Sequence, residues 1–182
     1  MFDVVSEHAF IIPSISLSVS ARYTKQESDN KYYSKTEIDS LIPSVAAFDC
    51  YNTEDSETFR EPPVIMNVNT VRYNSGHFTF SGGVVTILRT AIYKINYTAS
   101  MTINGTSQAS AAAYILHNGF SIAGSVSYGF CRTIHVGRNS CNSSVIINLT
   151  MDDTININVL KAQGAGQLNT IAGACNFNIV SL

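Results

Sequence analysis

The groups that could do chemistry in this sequence are few and poorly assembled. Its four histidines, His8, His77, His117 and His135, are scattered. Its four cysteines, Cys50, Cys131, Cys141 and Cys175, do not have metal-site spacing. No Ser-His-Asp set carries supporting motifs, and no carboxylate pair falls where a cleft is expected. No Gly-rich phosphate loop follows a strand and opens a helix. Asp152-Asp153 reads as a hairpin turn, with a cation site as the other reading. The sequons at Asn96, Asn104, Asn142 and Asn148 are what chance supplies in a chain so rich in Asn, Ser and Thr. The expectation is a protein that is not an enzyme and uses no cofactor and no metal.

Composition directs attention to a surface instead. Hydrophobic residues make up 45% of the chain and charged residues 13%, against about 25% charged in an ordinary globular protein. A large core is possible, and Ser, Thr and Asn must cover much of the exterior. That balance suits a secreted or virion-surface β protein better than a cytosolic enzyme. The net charge of −2 hides an asymmetry. Residues 1–63 hold 5 basic and 11 acidic residues, a balance of −6. Residues 64–182 hold 6 basic residues against Asp152 and Asp153, a balance of +4. This mildly positive part is compatible with an anionic partner such as an acidic glycan. It lacks the clustered basic stripe of a nucleic-acid binder. No run of 18 or more apolar residues occurs, so no transmembrane helix is expected. MFDVVSEHAF carries acids where a signal peptide carries basic residues. An extracellular role would then require another route, such as assembly into a virion after synthesis in the host cytoplasm.

The elements that must position any binding residues are strands. Ala91 to Ser100 alternates almost strictly: Ala91, Tyr93, Ile95, Tyr97 and Ala99 share one face, and Ile92, Lys94, Asn96, Thr98 and Ser100 the other. Further strands are expected at Val45–Tyr51, Val64–Val68, His77–Phe80, Val84–Leu88, Ala109–Leu116, Ser121–Phe130, Asn142–Thr150, Thr154–Lys161 and Ala174–Leu182. His117-Asn118-Gly119 is a hairpin signal, because Asn-Gly supplies the positive φ angles of a tight turn. Asn52–Pro63, Ile103–Gln108, Cys131–Cys141 and Gln163–Gly173 read as loops. Eight to ten short strands with regular turns make a sandwich.

Two segments precede that head. In residues 1–22, Ile15, Leu17 and Val19 alternate with serines, a one-sided strand that needs a partner. In residues 23–44, Tyr23-x-Lys25-x-Glu27-x-Asp29 recurs ten residues later as Tyr33-x-Lys35-x-Glu37-x-Asp39. Ser34 and Glu37 form a capping box for a short helix, Lys35 to Ile42, too short to be stable alone. Several copies packing together through Ile38, Leu41 and Ile42 would support it.

Two resemblances follow from these motifs. The Tyr-x-Lys-x-Glu-x-Asp repeat resembles the shafts of bacteriophage tail-fibre and capsid-spike proteins. Residues 45–182 resemble the jelly-roll head of the complement/tumour-necrosis-factor superfamily. Ala47-Phe48, Phe78-x-Phe80, Ala91 to Ser100, Ile115-Leu116-x-Asn118-Gly119, Leu149-x-x-x-Asp153-x-Ile155-x-Ile157 and Asn176-Phe177-x-Ile179 follow in its order.

The resemblance implies an all-β antiparallel jelly-roll sandwich assembled as a homotrimer. Strands starting near Ala47, Ala91, Ser144 and Ala174 would form the sheet facing the three-fold axis. Residues 1–22 would anchor to another virion protein and residues 23–44 would form the shaft. The loops opposite the shaft would meet a host-surface receptor, possibly a glycan, with Arg132, His135, Arg138 and Asn104 as candidate contacts. Two alternatives stay open: a capsid-decoration or trimerisation module without a receptor, and a cation-dependent lectin-like domain. Cys50 and Cys175 would lie on neighbouring strands, and Cys131 and Cys141 flank one loop. Disulfides are possible there, with reduced thiols expected in a bacterial cytoplasm.

Overall fold

The alternation that begins at Ala91 is realised as a 14-residue strand, Ala91–Asn104. Its odd-numbered residues Tyr93, Ile95, Tyr97, Ala99 and Met101 are buried, while Ile92 and Lys94 face outward. A computed structural model describes residues 44–182 apart from 57–58, 105–106 and 133–136. The expected anchor strand, the repeat and the short helix lie outside the described residues.

Val45–Leu182 forms one unit, whose described residues make thirteen strands: β1 (Ala47–Tyr51), β2 (Val64–Ile65), β3 (Thr70–Asn74), β4 (Phe78–Ser81), β5 (Val84–Ile87), β6 (Ala91–Asn104), β7 (Ala109–His117), β8 (Phe120–Ser121), β9 (Ser127–Cys131), β10 (Arg138–Leu149), β11 (Thr154–Gly164), β12 (Gln167–Thr170) and β13 (Asn176–Ser181). The first sheet runs β10-β6-β13-β1-β3, with β12 also on β6. The second runs β4-β5-β11-β7-β8, with β2 on β11 and β9 on β7. Every pairing is antiparallel. This is the expected jelly-roll sandwich, and the strands starting at Ala47, Ala91, Arg138 and Asn176 do share one sheet.

Side chains from both sheets meet in one core. Phe48 of β1 stands 5.8 Å from Phe78, 5.5 Å from Phe80 and 6.4 Å from Phe177, and Phe78 stands 5.8 Å from Tyr93 in an edge-on contact. These spacings are those of favourable aromatic pairs. They tie β1 and β13 of one sheet to β4 of the other.

Tyr97 makes a polar link between the sheets. Its ring is buried under β7, and its hydroxyl lies 2.6 Å from the Ala113 carbonyl and 2.9 Å from that of Ser125. One proton is shared between the two acceptors. Burial, with the Cys141 thiol a smaller contributor, pushes this phenol above the usual tyrosine range. Ser125 is itself fully buried: its Oγ donates to the Ile122 carbonyl (2.7 Å) and accepts from Ile115 N–H (3.1 Å). The segment after β8 is thereby folded back onto the sheet.

Several expected boundaries are corrected. Val64–Val68 is regular only over Val64–Ile65, because Met66 donates to Ile157 O and Val68 then bonds back to Met66 O. Thr70–Asn74, absent from the expected strands, is β3 on the sheet edge. Ser121–Phe130 divides into β8 and β9. The expected flexible Gln163–Gly173 loop contains β12, which pairs with Met101–Asn104 because β6 extends beyond the strands beside it. Arg138 to Cys141 and Asn104, expected in loops, are strand residues.

Replacing Tyr97 by Phe removes the shared proton and leaves buried carbonyls less satisfied. The expected cost is about 1–3 kcal/mol, read as a lower urea midpoint with an unchanged slope. An unchanged midpoint would remove the inter-sheet role given to this hydroxyl.

Candidate functional site

The two ends of the sandwich are built differently. At one end lie Val45, Leu182 and tight turns: Ser181 N–H bonds Ala46 O, Leu182 N–H bonds Ile92 O and Asp152 N–H bonds Ile87 O. Asn118 and Gly119 turn with φ of 50° and 83°, the positive values that an Asn-Gly hairpin accommodates. At the other end lie the loops that follow β1, β6, β9 and β11.

Asn52, fully buried, joins two of those loops. Its Oδ1 accepts from Cys175 N–H (2.9 Å), and its Nδ2 donates to the carbonyls of Glu54 and Ile171 (3.0 Å each). Ser56 N–H donates to Thr170 Oγ1, Thr170 N–H returns a bond to Ser56 O, and Phe59 bridges to Leu168. Asp55 accepts from Ala172 N–H. Gly166 N–H bonds Gln108 O, and Ile103 N–H bonds Gly137 O. The described parts of the four expected long loops therefore meet at the end opposite Val45. Nothing marked Asn52 in a sequence so rich in asparagine; its role depends on contacts more than 100 positions away.

The candidate contact residues are distributed as follows. Arg132 directly follows β9 and Arg138 opens β10; both are exposed. They flank residues 133–136 at a close neck, since a Cβ at Gly137 would press on the Arg132 carbonyl oxygen. Asn104 is the last residue of β6, opposite Gln167. His135 lies outside the described residues. At the same end, Phe59, Arg60, Glu61, Lys161, Ala165 and Gln167 line a depression of about 410 Å³. Sequence reading missed Arg60 and Lys161, because one sits in an acidic loop and the other in a strand.

At the opposite end Asp153 joins two turns. Its carboxylate accepts from Asn118 Nδ2 (2.7 Å), Thr150 N–H (2.7 Å) and Thr150 Oγ1 (3.1 Å), and lies 3.1 Å from His117 Nε2. Burial alone would raise this carboxyl; the bonds from Thr150, Asn118 and His117 outweigh it and hold it at about 2. The hairpin reading of Asp152-Asp153 matches this geometry. Among the described residues, no three His, Cys, Asp or Glu side chains gather as metal ligands.

The four thiols are free and buried. Cys50 Sγ points to Phe177 O (3.5 Å), Cys175 Sγ to Ser100 O (3.3 Å), Cys141 Sγ to Ala111 O (3.8 Å) and Cys131 Sγ to Met101 O (4.0 Å). Burial pushes Cys50 and Cys141 up to about 12 and Cys175 to about 11, and raises Cys131 as well. They are core side chains.

No protein-family model matches this chain, and neither does any curated protein sequence. Among solved structures, the Eiger TNF of S. frugiperda is similar at a TM-score of 0.53 and 13% identity, covering 76% of this chain and 92% of that one. Murine APRIL, crystallised at pH 8.5, is similar at 0.49 and 13%, covering 76% and 100%. At these identities the likeness to Eiger concerns the fold: a TNF-like jelly roll.

Two measurements follow. Ellman's reagent at pH 8 should leave all four thiols unreacted in the native protein and titrate four in denaturant; a fast native phase would contradict their burial. Asp153→Asn should cost about 1 kcal/mol at neutral pH, discounted for its position near solvent. Because the folded-state value is depressed, the wild-type contribution is present above about 4 and lost as pH falls toward 2. The stability difference between wild type and variant should shrink through that window, and parallel pH profiles would contradict the clamp.

Proposed function

We propose that residues 45–182 are the trimeric head of a virion-borne attachment protein, of the phage fibre or spike type, whose loop end meets a host-surface receptor. The observation that carries this reading is the polarity of the head. Val45 and Leu182 lie at one end, and the long loops, tied together through Asn52 and Thr170, lie at the other. A rigid scaffold presenting a loop cluster is the usual arrangement for binding. Arg132 and Arg138 at their shared neck are the contacts we favour, with Arg60 and Lys161 nearby.

The outward face of the first sheet supports a trimer. Ser144, Asn96, Asn178 and Asp49 form one row across it, and Asn142, Thr98, Asn176 and Tyr51 the next. Asn96 Nδ2 donates to Asn178 Oδ1 at 2.8 Å. Nearer Val45 the row becomes Ile146, Lys94, Val180 and Ala47, with Ile146 65% and Ile92 52% exposed. β-Branched side chains on an outward face are consistent with a partner surface, and a heterologous contact that closes after three copies accounts for one. Three sites per head and many heads per particle then give avidity from weak single contacts.

Light scattering on the full chain should give three copies of 19.8 kDa, and Ile146→Asp should shift the mass toward the monomer. Fluorescently labelled protein should adhere to cells of its host, and Arg132→Ala with Arg138→Ala should reduce adhesion several-fold without changing the mass. A monomer would remove the trimeric spike. Adhesion unaffected by the double variant would favour a decoration or trimerisation module.

A further inference from the structure

We propose that the outward face of the second sheet, along β7, is a trough for an extended neutral saccharide, with Tyr128 as its stacking wall. The proposal rests on reading the head as an attachment module, and it names the ligand class and a second contact surface.

The trough follows from side-chain size and register. Outward-facing residues of β7 are small over its first half, Ser110 and Ala112, and large from Tyr114 onward. On one side β9 sets Tyr128 opposite Ala112 and Phe130 opposite Ser110. On the other side β11 sets Leu160 opposite Ala112 and Gln163 opposite Ser110. Small residues between two bulky rows leave a furrow. Two depressions of about 380 and 200 Å³ follow one another there, the first lined by Tyr114, Tyr128 and Leu160, the second by Ser110, Phe130 and Gln163. From Tyr114 to Gln108 the furrow runs six strand steps, about 20 Å. It ends in the loop cluster, where Gln108 O accepts from Gly166 N–H.

The chemistry of the lining selects the ligand. Tyr128 is 72% exposed and Phe130 44%, so the rings are only partly covered by their own chain. No lining residue of either depression carries a charge, although residues 64–182 have a balance of +4. An acidic ligand would find no counter-charge in the furrow. β7 is hydrogen-bonded along both edges, to β9 and to β11, so it has no free edge for a peptide to extend. What remains are ring faces, aliphatic side chains, and the amides and hydroxyls of Gln108, Gln163, Ser110 and Ser121. A pyranose lays its C–H face on an aromatic ring and turns its hydroxyls outward to such groups. Pockets that pair an apolar floor with a few polar groups fix orientation in this way.

The test is saturation-transfer NMR on the full chain with cellohexaose, maltohexaose and mannohexaose. A hyaluronan hexasaccharide and a polyproline hexapeptide serve as competing ligand classes. We expect at least one neutral hexasaccharide to bind. Tyr128→Ala should weaken it about tenfold, the loss of one ring contact, while Tyr128→Phe retains it and the urea midpoint is unchanged. Ala112→Leu, which fills the furrow and keeps Tyr128, should also weaken binding. The proposal is overturned by failure of all three neutral sugars to bind, by binding indifferent to Tyr128→Ala, or by binding confined to the acidic sugar or the peptide. Protection of Tyr128 from nitration in the assembled protein would overturn it too, because a second copy would then cover the furrow. Adhesion to cells lost in the Arg132/Arg138 double variant yet unchanged in Tyr128→Ala would refute the trough and keep the attachment reading. Sugar binding through Tyr128 with no adhesion to any cell would do the reverse.

Discussion

The structure depends on one strand, β6, that is paired along both edges and turns one face into the core. β10 occupies one edge from Ala91 to Thr102, and β13 then β12 share the other. Its backbone is therefore satisfied inside the sheet, and its side chains are free to divide by polarity. Tyr93, Ile95, Tyr97, Ala99 and Met101 enter the core, where full burial of each large apolar side chain contributes about 1.5–3 kcal/mol. A slip of one residue would put Lys94 and Asn96 into that core. Tyr97 adds a directional element, because its hydroxyl reaches the Ala113 carbonyl of the other sheet and the Ser125 carbonyl between β8 and β9.

The two ends inherit different tasks from this arrangement. Where β6 begins, the connections are hairpins closed by local polar groups, Asp153 with Asn118 and Thr150. Where β6 ends, it outruns the strands beside it, and β12 and the long loops must satisfy its backbone. Those loops are ordered by contacts between distant parts of the chain, such as Asn52 with Ile171 and Ser56 with Thr170.

The outward faces of the two sheets also differ in kind. The first is a ladder of Asn, Ser and Thr that turns apolar toward Ile146 and Ile92; at its edge Arg72 pairs with Asp49 at 2.9 Å and lies 4.8 Å over the Tyr51 ring. The second carries aromatic rings beside small residues and no charge along its furrow. Low overall charge allows this division, since neither face must be covered by lysine and glutamate.

Periodicity alone determined the class of the protein. Alternation in Ala91–Ser100 and Thr154–Lys161, with Asn118-Gly119 between strands, is a local property that any stretch of backbone expresses before it meets a partner. The order of such cues pointed to the jelly roll, and the division of ends followed from it. Three things were decided only by tertiary structure. β3 and β12 carry little apolar signal and are strands because a neighbouring edge needed hydrogen bonds. Arg138 belongs to a strand because β6 is long enough to pair with it. The furrow along β7 exists because register sets Tyr128 and Leu160 on either side of Ala112, and register between strands is not encoded in the spacing along any one of them.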